Sequence, residues 1–509
     1  MYRRTVQPID PDFLALPYRQ LASAALDRAR ALGAEHADFR FERVRYQQLR
    51  ARDGHLLGAS DTEDLGIAVR VVHRGAWGFA SGVALDAATA ERLAESAVRT
   101  AEVASAMTRR PVELAPEPPH RDRTWVSAYD VDPFSVPLED KVGLLTAWTA
   151  ALAGRSGVQH ARAATQLVVE QKFYADLTGT VTTQQRVRVH PEVEVFGSND
   201  DAGIFDSMRT TAPPAGRGWE YLTAPGHDWD AELDQLPDLL AEKLHAPSVD
   251  AGRYDLVIEP SNLWLTIHES IGHATELDRA LGYEANYAGT SFATLDRLGS
   301  LRYGSDLMHV TGDRTVEHGL ASIGYDDEGV AAQSWDLIKD GILVGYQLDR
   351  SMAALHPELN GGRSNGCAYA DSPGHVPIQR MANVSLQPAP DGPSTEELVS
   401  DVDSGILVVG DRSWSIDMQR YNFQFTGQRF YRIRDGKLAG QLRDVAYQAT
   451  TTDFWGSMSA VGGPQTWVLG GAFNCGKAQP GQVASVSHGC PSALFRGVNV
   501  LNTTAEAGH

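Results

Sequence analysis

Apolar residues recur at helical spacing over residues 21–32, and the stretch that follows, 37–52, alternates apolar with polar positions as a half-buried strand does. Asp53-Gly54 is a good turn for folding that strand back into a hairpin. Residues 66–72 and 75–80 read as a second hairpin, and the alanine-rich segment 87–106, with its polar residues on one side, reads as a helix. A connector with four prolines spans 111–119. Beyond it the pattern predicts a helix at 138–152, a run of strands over 165–195 and a helix at 236–244, with Pro213-Pro214 in a loop.

The stretch from Ala246-Pro247 to Gly252 reads as a boundary. Past it, Tyr254-Asp255-Leu256-Val257-Ile258 has the composition of a buried strand, and Pro260-Ser261-Asn262 introduces a helix running to about residue 281. From residue 307 onward, short strands separated by Gly and Asp turns dominate. The expected fold is α+β in two domains, an N-terminal α/β domain over 1–247 and a sheet-rich C-terminal domain over 248–509. No internal repeat is present.

The chain has 509 residues, 42% hydrophobic and 22% charged, an ordinary balance for a soluble protein with a large core. Its 45 basic and 65 acidic residues leave a net charge of −20, which repels phosphate backbones and argues against nucleic acid as a partner. Three cysteines, Cys367, Cys475 and Cys490, exclude a disulfide framework and favour a reducing compartment. Met1-Tyr2-Arg3-Arg4 lacks the run of about 7 to 15 apolar residues of a signal peptide. Nor does any stretch approach the ~18 apolar residues of a membrane span. A soluble, cytoplasmic protein is expected.

The chemistry concentrates on the helix after residue 260, in His268-Glu269-Ser270-Ile271-Gly272-His273. Two histidines and an adjacent glutamate on one helix suggest a hydrolytic zinc site. The usual spacing is four residues, whereas here it is five, which on an ideal α-helix sets the two rings about 140° apart. A π-type turn closes that gap, so the spacing predicts a distorted helix, with Gly272 relieving crowding inside it. Catalytic zinc takes three protein ligands and keeps one position open. The residues leave the third open between Glu276, Asp278 and a distant thiolate, Cys475, whose neighbour Lys477 would favour the ionised form.

At this point the sequence resembles a family. His268 to His273, Gly324-Tyr325-Asp326-Asp327-Glu328-Gly329, Arg380-Met381-Ala382-Asn383 and Asn474-Cys475-Gly476-Lys477, in this order, resemble the TldD branch of the TldD/PmbA metallopeptidases, first described as modulators of DNA gyrase. Asp53-Gly54, Glu63-Asp64-Leu65-Gly66-Ile67-Ala68-Val69-Arg70 and Gly75-Ala76-Trp77-Gly78-Phe79-Ala80-Ser81 look like that family's N-terminal pattern, so the likeness spans almost the whole chain. The resemblance implies His268, His273 and Cys475 as zinc ligands and Glu269 as the general base. It also places Asp326, Asp327 and Glu328 near the substrate cleft, as peptide contacts or supports of the ligands, although such a run is more often a solvated turn.

The same resemblance implies hydrolysis of unfolded or extended peptides, including removal of leader segments from peptide precursors. It further implies work alongside a TldE/PmbA-like subunit without the metal motif, or as a homodimer. Two other readings compete: a non-proteolytic regulatory binding module, and a zinc hydrolase of a non-peptide amide. Cys490, where the family's closing loop is expected to be polar, reads first as an inert small residue, then as an oxidation partner of Cys475 or an alternative ligand. His488 and Cys367 read as loop or packing residues.

Overall fold

The computed structural model describes residues 7–223 and 227–505; residues 1–6, where the absence of an apolar leader was read, lie outside the described residues. The first sheet has seven strands: β1 (His36–Arg52), β2 (His55–His73), β3 (Ala76–Gly82), β4 (Arg123–Val126), β5 (His160–Asp176), β6 (Val181–Asn199) and β7 (Ile204–Arg209). Their order is β3-β2-β1-β5-β6-β4, with β7 also paired to β6. Both hairpins read from the sequence are present, β1–β2 turning at Asp53-Gly54 and β2–β3 at Arg74-Gly75.

Alternation along β1 sends Phe39, Phe41, Leu49 and Ala51 to one face, where four helices cover them. Tyr18–Ala31 and Ala87–Ser105 pack over Phe39 and Phe41, while Leu138–Ala153 and Trp229–His245 pack over Leu49 and Ala51. Each large side chain so buried contributes about 1.5–3 kcal/mol. The opposite face carries Arg40, Glu42, Glu170, Lys172, Arg186 and Arg188, all buried. Polar alternation ordinarily marks a solvated face; here that face is covered by loops from the second half of the chain.

In the second half, five strands pair in a ring. Ser404–Ile416 lies beside Gly252–Ile258, followed by Ala493–Asn502, Val445–Thr450 and Asn422–Arg434, which returns to Ser404–Ile416. Leu256, Ile406, Val408, Phe423, Phe425, Tyr447 and Phe495 share one apolar cluster with Leu263 and Ile267 of the helix Pro260–Ile267. That helix is thereby fixed to the ring at its start. A two-stranded ribbon, Val468–Lys477 against Gln482–Cys490, crosses beside it, and at Gly470 an added Cβ would lie 2.8 Å from the Cβ of Trp264. The strands after residue 307 are not all short, since two of them run for 13 residues. No helix among the described residues is long and apolar enough to cross a membrane.

Candidate metal centre

The helix that enters at Pro260 changes pitch at the first histidine. Residues His268–Gly272 are π-helical, and His273 N donates to His268 O at 3.1 Å. The widened turn brings the two imidazoles, five residues apart, to a centroid separation of 4.7 Å. A π-turn leaves carbonyls without intrahelical partners, and tertiary groups supply them. Tyr303 OH donates to Ser270 O at 2.5 Å and Gln347 Nε2 to Gly272 O at 2.7 Å. The helix does not continue to residue 281 as expected: it breaks after His273, and a four-residue helix, Leu277–Ala280, follows.

Cys475 arrives from the ribbon. An irregularity in the strand pairing between Ala472 and Cys475 re-aims the strand and turns Cys475 inward, leaving it 4% exposed. Ligand atoms of His268, His273 and Cys475 lie within 4.8 Å of one another, and Cys475 Sγ is 3.5 Å from His273 Nε2. Sulfur and nitrogen at zinc bond lengths on a tetrahedral ion are about 3.6 Å apart. The donor set therefore fits a small tetrahedral cation.

Both ring orientations are fixed from behind. His273 Nδ1 lies 2.9 Å from Glu276 Oε2, which also accepts from Arg279 Nε at 3.2 Å. His268 Nδ1 lies 2.7 Å from His488 Nε2, and His488 Nδ1 lies 2.9 Å from Val384 O. A carbonyl only accepts, so the proton of His488 sits on Nδ1 and its Nε2 accepts from His268 Nδ1–H. His268 Nε2 is then a free lone pair, as is His273 Nε2, and both belong to the triad. Burial pushes the pKa of His268, His273 and His488 below the usual imidazole value, holding the neutral form a metal requires. Burial raises the Cys475 thiol, but its neighbours, the Arg380 guanidinium among them, outweigh this and leave it below its ordinary value.

Several residues take positions that the sequence left open or misread. Glu276 backs His273, and Asp278 accepts from Lys477 Nζ at 2.8 Å. Lys477 spends its other bonds on Glu276 and the carbonyl of Gln379, so it does not face the thiol. The cation bearing on Cys475 is Arg380, whose Nη2 donates to the Cys475 carbonyl at 2.6 Å. Glu269 sits one residue past His268, 5% exposed, and its Oε2 accepts from Arg420 Nη1 at 2.6 Å. Arg420, contributed from about 150 residues away, carried no sequence signal beyond its charge. His488, read as a packing residue, instead orients a member of the triad.

Asp326, Asp327 and Glu328 are not at the triad. Asp326 accepts from the backbone N–H groups of Glu328, Val330 and Ala368, Asp327 from Lys172 and Ala370 N, and Glu328 from Arg70 and Arg350 N. The run is a buried joint between the polar face of the first sheet and the second half, not a solvated turn. Cys490 pairs with Val468 in the ribbon, whereas Cys475 pairs with Ala484. Six strand positions at ~3.3 Å each put them about 20 Å apart, too far for a disulfide.

Residues 251–502 match the model of the PmbA/TldA metallopeptidase C-terminal domain, and residues 37–101 that of PmbA/TldA metallopeptidase domain 1, together more than half of the chain. A protein of Methanothermobacter thermautotrophicus named metalloprotease is 27% identical over 92% of this chain and 96% of its own length. A zinc metalloprotease TldD homolog of Saccharolobus solfataricus is 25% identical over 54% of this chain and 57% of its own length. Among solved structures, a Thermotoga maritima protein described as a modulator of a DNA gyrase superposes with a TM-score of 0.76 at 15% identity, over 95% of this chain and 100% of the other. TldE from Thermococcus kodakarensis superposes with a TM-score of 0.69 at 15% identity, over 94% of this chain and 99% of the other.

Proposed function

The chain belongs to the PmbA/TldD metallopeptidase family, and on that premise we propose that it is a zinc-dependent peptidase of unfolded or extended peptides, with His268, His273 and Cys475 holding the metal and Glu269 as general base. The observation that carries this reading is the convergence of two lone-pair imidazole nitrogens and one thiol within 4.8 Å, all buried. Two imidazoles with a soft thiolate favour zinc over hard cations. Zinc bound there would supply Lewis acidity, polarising the scissile carbonyl and acidifying water.

The chain's own groups supply the rest. Arg420 holds Glu269 Oε2, which leaves Oε1 to accept a proton from the attacking water and return it to the leaving amine nitrogen. Glu276 and His488 keep both imidazoles in the tautomer that presents Nε2. The thiolate donates more charge than a third imidazole would, so slow processing rather than rapid digestion is expected. A regulatory binding module has no need of this buried donor set, and it is the weaker reading.

We further assign the domains as 1–247 and 248–509, the setting as the cytoplasm, and the partner as a TldE/PmbA-like subunit or a second copy of the chain. Support for that partner is the likeness in fold to TldE. Removal of leader segments from peptide precursors remains within the same substrate class.

The test is Glu269→Gln beside His273→Ala and Cys475→Ala, each assayed for metal stoichiometry and for cleavage of an unfolded peptide with and without a candidate partner. Glu269→Gln should keep about one zinc per chain and lose cleavage by 10²-fold or more, the scale of general-base catalysis. The other two variants should lose both. Undiminished cleavage in Glu269→Gln would remove its role, and wild type without metal would return the binding-module reading.

A further inference from the structure

A cavity of about 400 Å³ opens beside the triad, at the seam between the first sheet and the second half of the chain. Its walls come from the middle of β6, from the start of the histidine helix and from residues 470–473 of the strand that leads to Cys475. Trp264, one turn before His268 on the same helix, lines it, and the two rings are 6.4 Å apart. A peptide with its scissile bond at the triad thus reaches this cavity within a few residues.

The cavity's polar groups are unevenly satisfied. Arg209 donates to Asp411 at 2.9 Å and to Glu192 at 3.1 Å, and Asp411 also accepts from Trp264 Nε1 at 3.3 Å, so these charges are closed on themselves. His227 lies against Glu232 at 2.5 Å. Glu259, just before Pro260, is different: its carboxylate makes no hydrogen bond or ion pair with any described residue. Arg429 attracts it only at longer range. His190 points a buried Nδ1 that has no partner among the described residues, and its ring packs 5.5 Å from that of Phe473. Burial lifts Glu259 above its ordinary value and lowers His190 to about 4, which keeps the imidazole neutral.

We propose that this cavity is a substrate subsite selecting a basic side chain, lysine or arginine, with its apolar stem between Trp264 and Phe473 and its cationic head on Glu259. A half-buried carboxylate without a paired counter-ion gains most from a ligand that brings one. The aromatic walls suit both the methylene stem and the cation above a ring face. A neutral His190 adds a hydrogen-bonding site without repelling the ligand's charge. This subsite rests on the peptidase reading above, whose substrate class it narrows.

The experiment separates the two. Glu269→Gln traps peptide without cleaving it, so binding is read by anisotropy of labelled peptides that differ at one position as lysine, norleucine or glutamate, scanned across the chain. One position should bind lysine at least tenfold more tightly than norleucine. Adding Glu259→Gln should bring that ratio to within about twofold of unity, and Glu259→Lys should favour the glutamate peptide instead. The charge swap keeps the test decisive should the neutral variant fold poorly. No positional preference for lysine, or a preference unaltered by both Glu259 variants, would overturn the subsite. Preferential binding that survives while wild type cleaves no peptide would leave the subsite standing and sink the peptidase.

Discussion

His488 shows how one residue's role follows from its hydrogen bonds. It touches His268 at 2.7 Å and is anchored by Val384 O. It lies 220 positions from His268, and nothing in its local sequence, Ser487-His488-Gly489-Cys490, suggests that contact. His488→Ala should weaken zinc binding by roughly 10- to 100-fold, the usual effect of removing a partner behind a metal-binding histidine; competition with a chromophoric chelator measures it. Cys490 makes the opposite case. Its thiol is fully buried against Pro260 O, and burial drives its pKa up. Mild oxidation should leave the metal content of wild type and Cys490→Ser equal, and a protective effect of the substitution would show that the two thiols do meet.

At the scale of the element, the π-turn is the device on which the site depends. Two histidines five apart converge because the turn is wide, and Ser270 O and Gly272 O are satisfied from outside the helix. Gly272 sits where an added Cβ would lie 2.5 Å from Met381 Sδ and 3.5 Å from His488 Cε1. Alanine usually stabilises a helix over glycine by roughly 0.5–1 kcal/mol, but overpacking a filled core costs about 1–3 kcal/mol. The second effect wins, because Met381 must shift while His488 at 3.5 Å is in ordinary contact, so Gly272→Ala should lower the unfolding midpoint and, by straining the turn that carries both histidines, reduce zinc affinity as well. Equal stability with unchanged affinity would mean that Met381 yields freely. The irregularity before Cys475 belongs to the same class of device, because a regular ladder would shift the side-chain alternation that turns the thiol inward.

The whole molecule is held by the buried polar face of the first sheet. Arg70 bridges Asp38 at 2.8 Å and Glu328 at 3.0 Å, tying the sheet to the Asp326–Glu328 joint. Breaking a buried pair by removing one partner costs about 3–5 kcal/mol, and Arg70→Met strands two carboxylates, so its urea midpoint should fall accordingly. Burial disfavours ionisation of Asp38, but Arg70 and His36 together more than offset this and hold it at about 2. A depressed carboxylate contributes stability that is full above its unfolded value near 4 and is lost as pH falls towards 2. The stability gap between wild type and Asp38→Asn should therefore be widest at neutral pH and shrink by about 2 kcal/mol between pH 4 and pH 2. A gap independent of pH in that window would remove the ion pair from the account.

The sequence by itself determined the local elements: the hairpins at Asp53-Gly54 and Arg74-Gly75, the alanine-rich helix, the strand before Pro260 and the widened turn at His268. Each is a matter of period, turn chemistry or spacing within about twenty residues, and such signals act before the chain is compact. The family resemblance named Cys475, which spacing alone had left level with Glu276 and Asp278. Tertiary structure alone decided the partners: Arg420 on Glu269, His488 behind His268, Lys477 turned to Glu276, and Arg40, Glu42 and Lys172 buried instead of solvated. Alternation says which side of a strand is polar, but not whether water or protein covers it. That depends on the packing of segments one to three hundred residues apart, where a buried charge persists only because its counter-charge arrives from elsewhere in the chain.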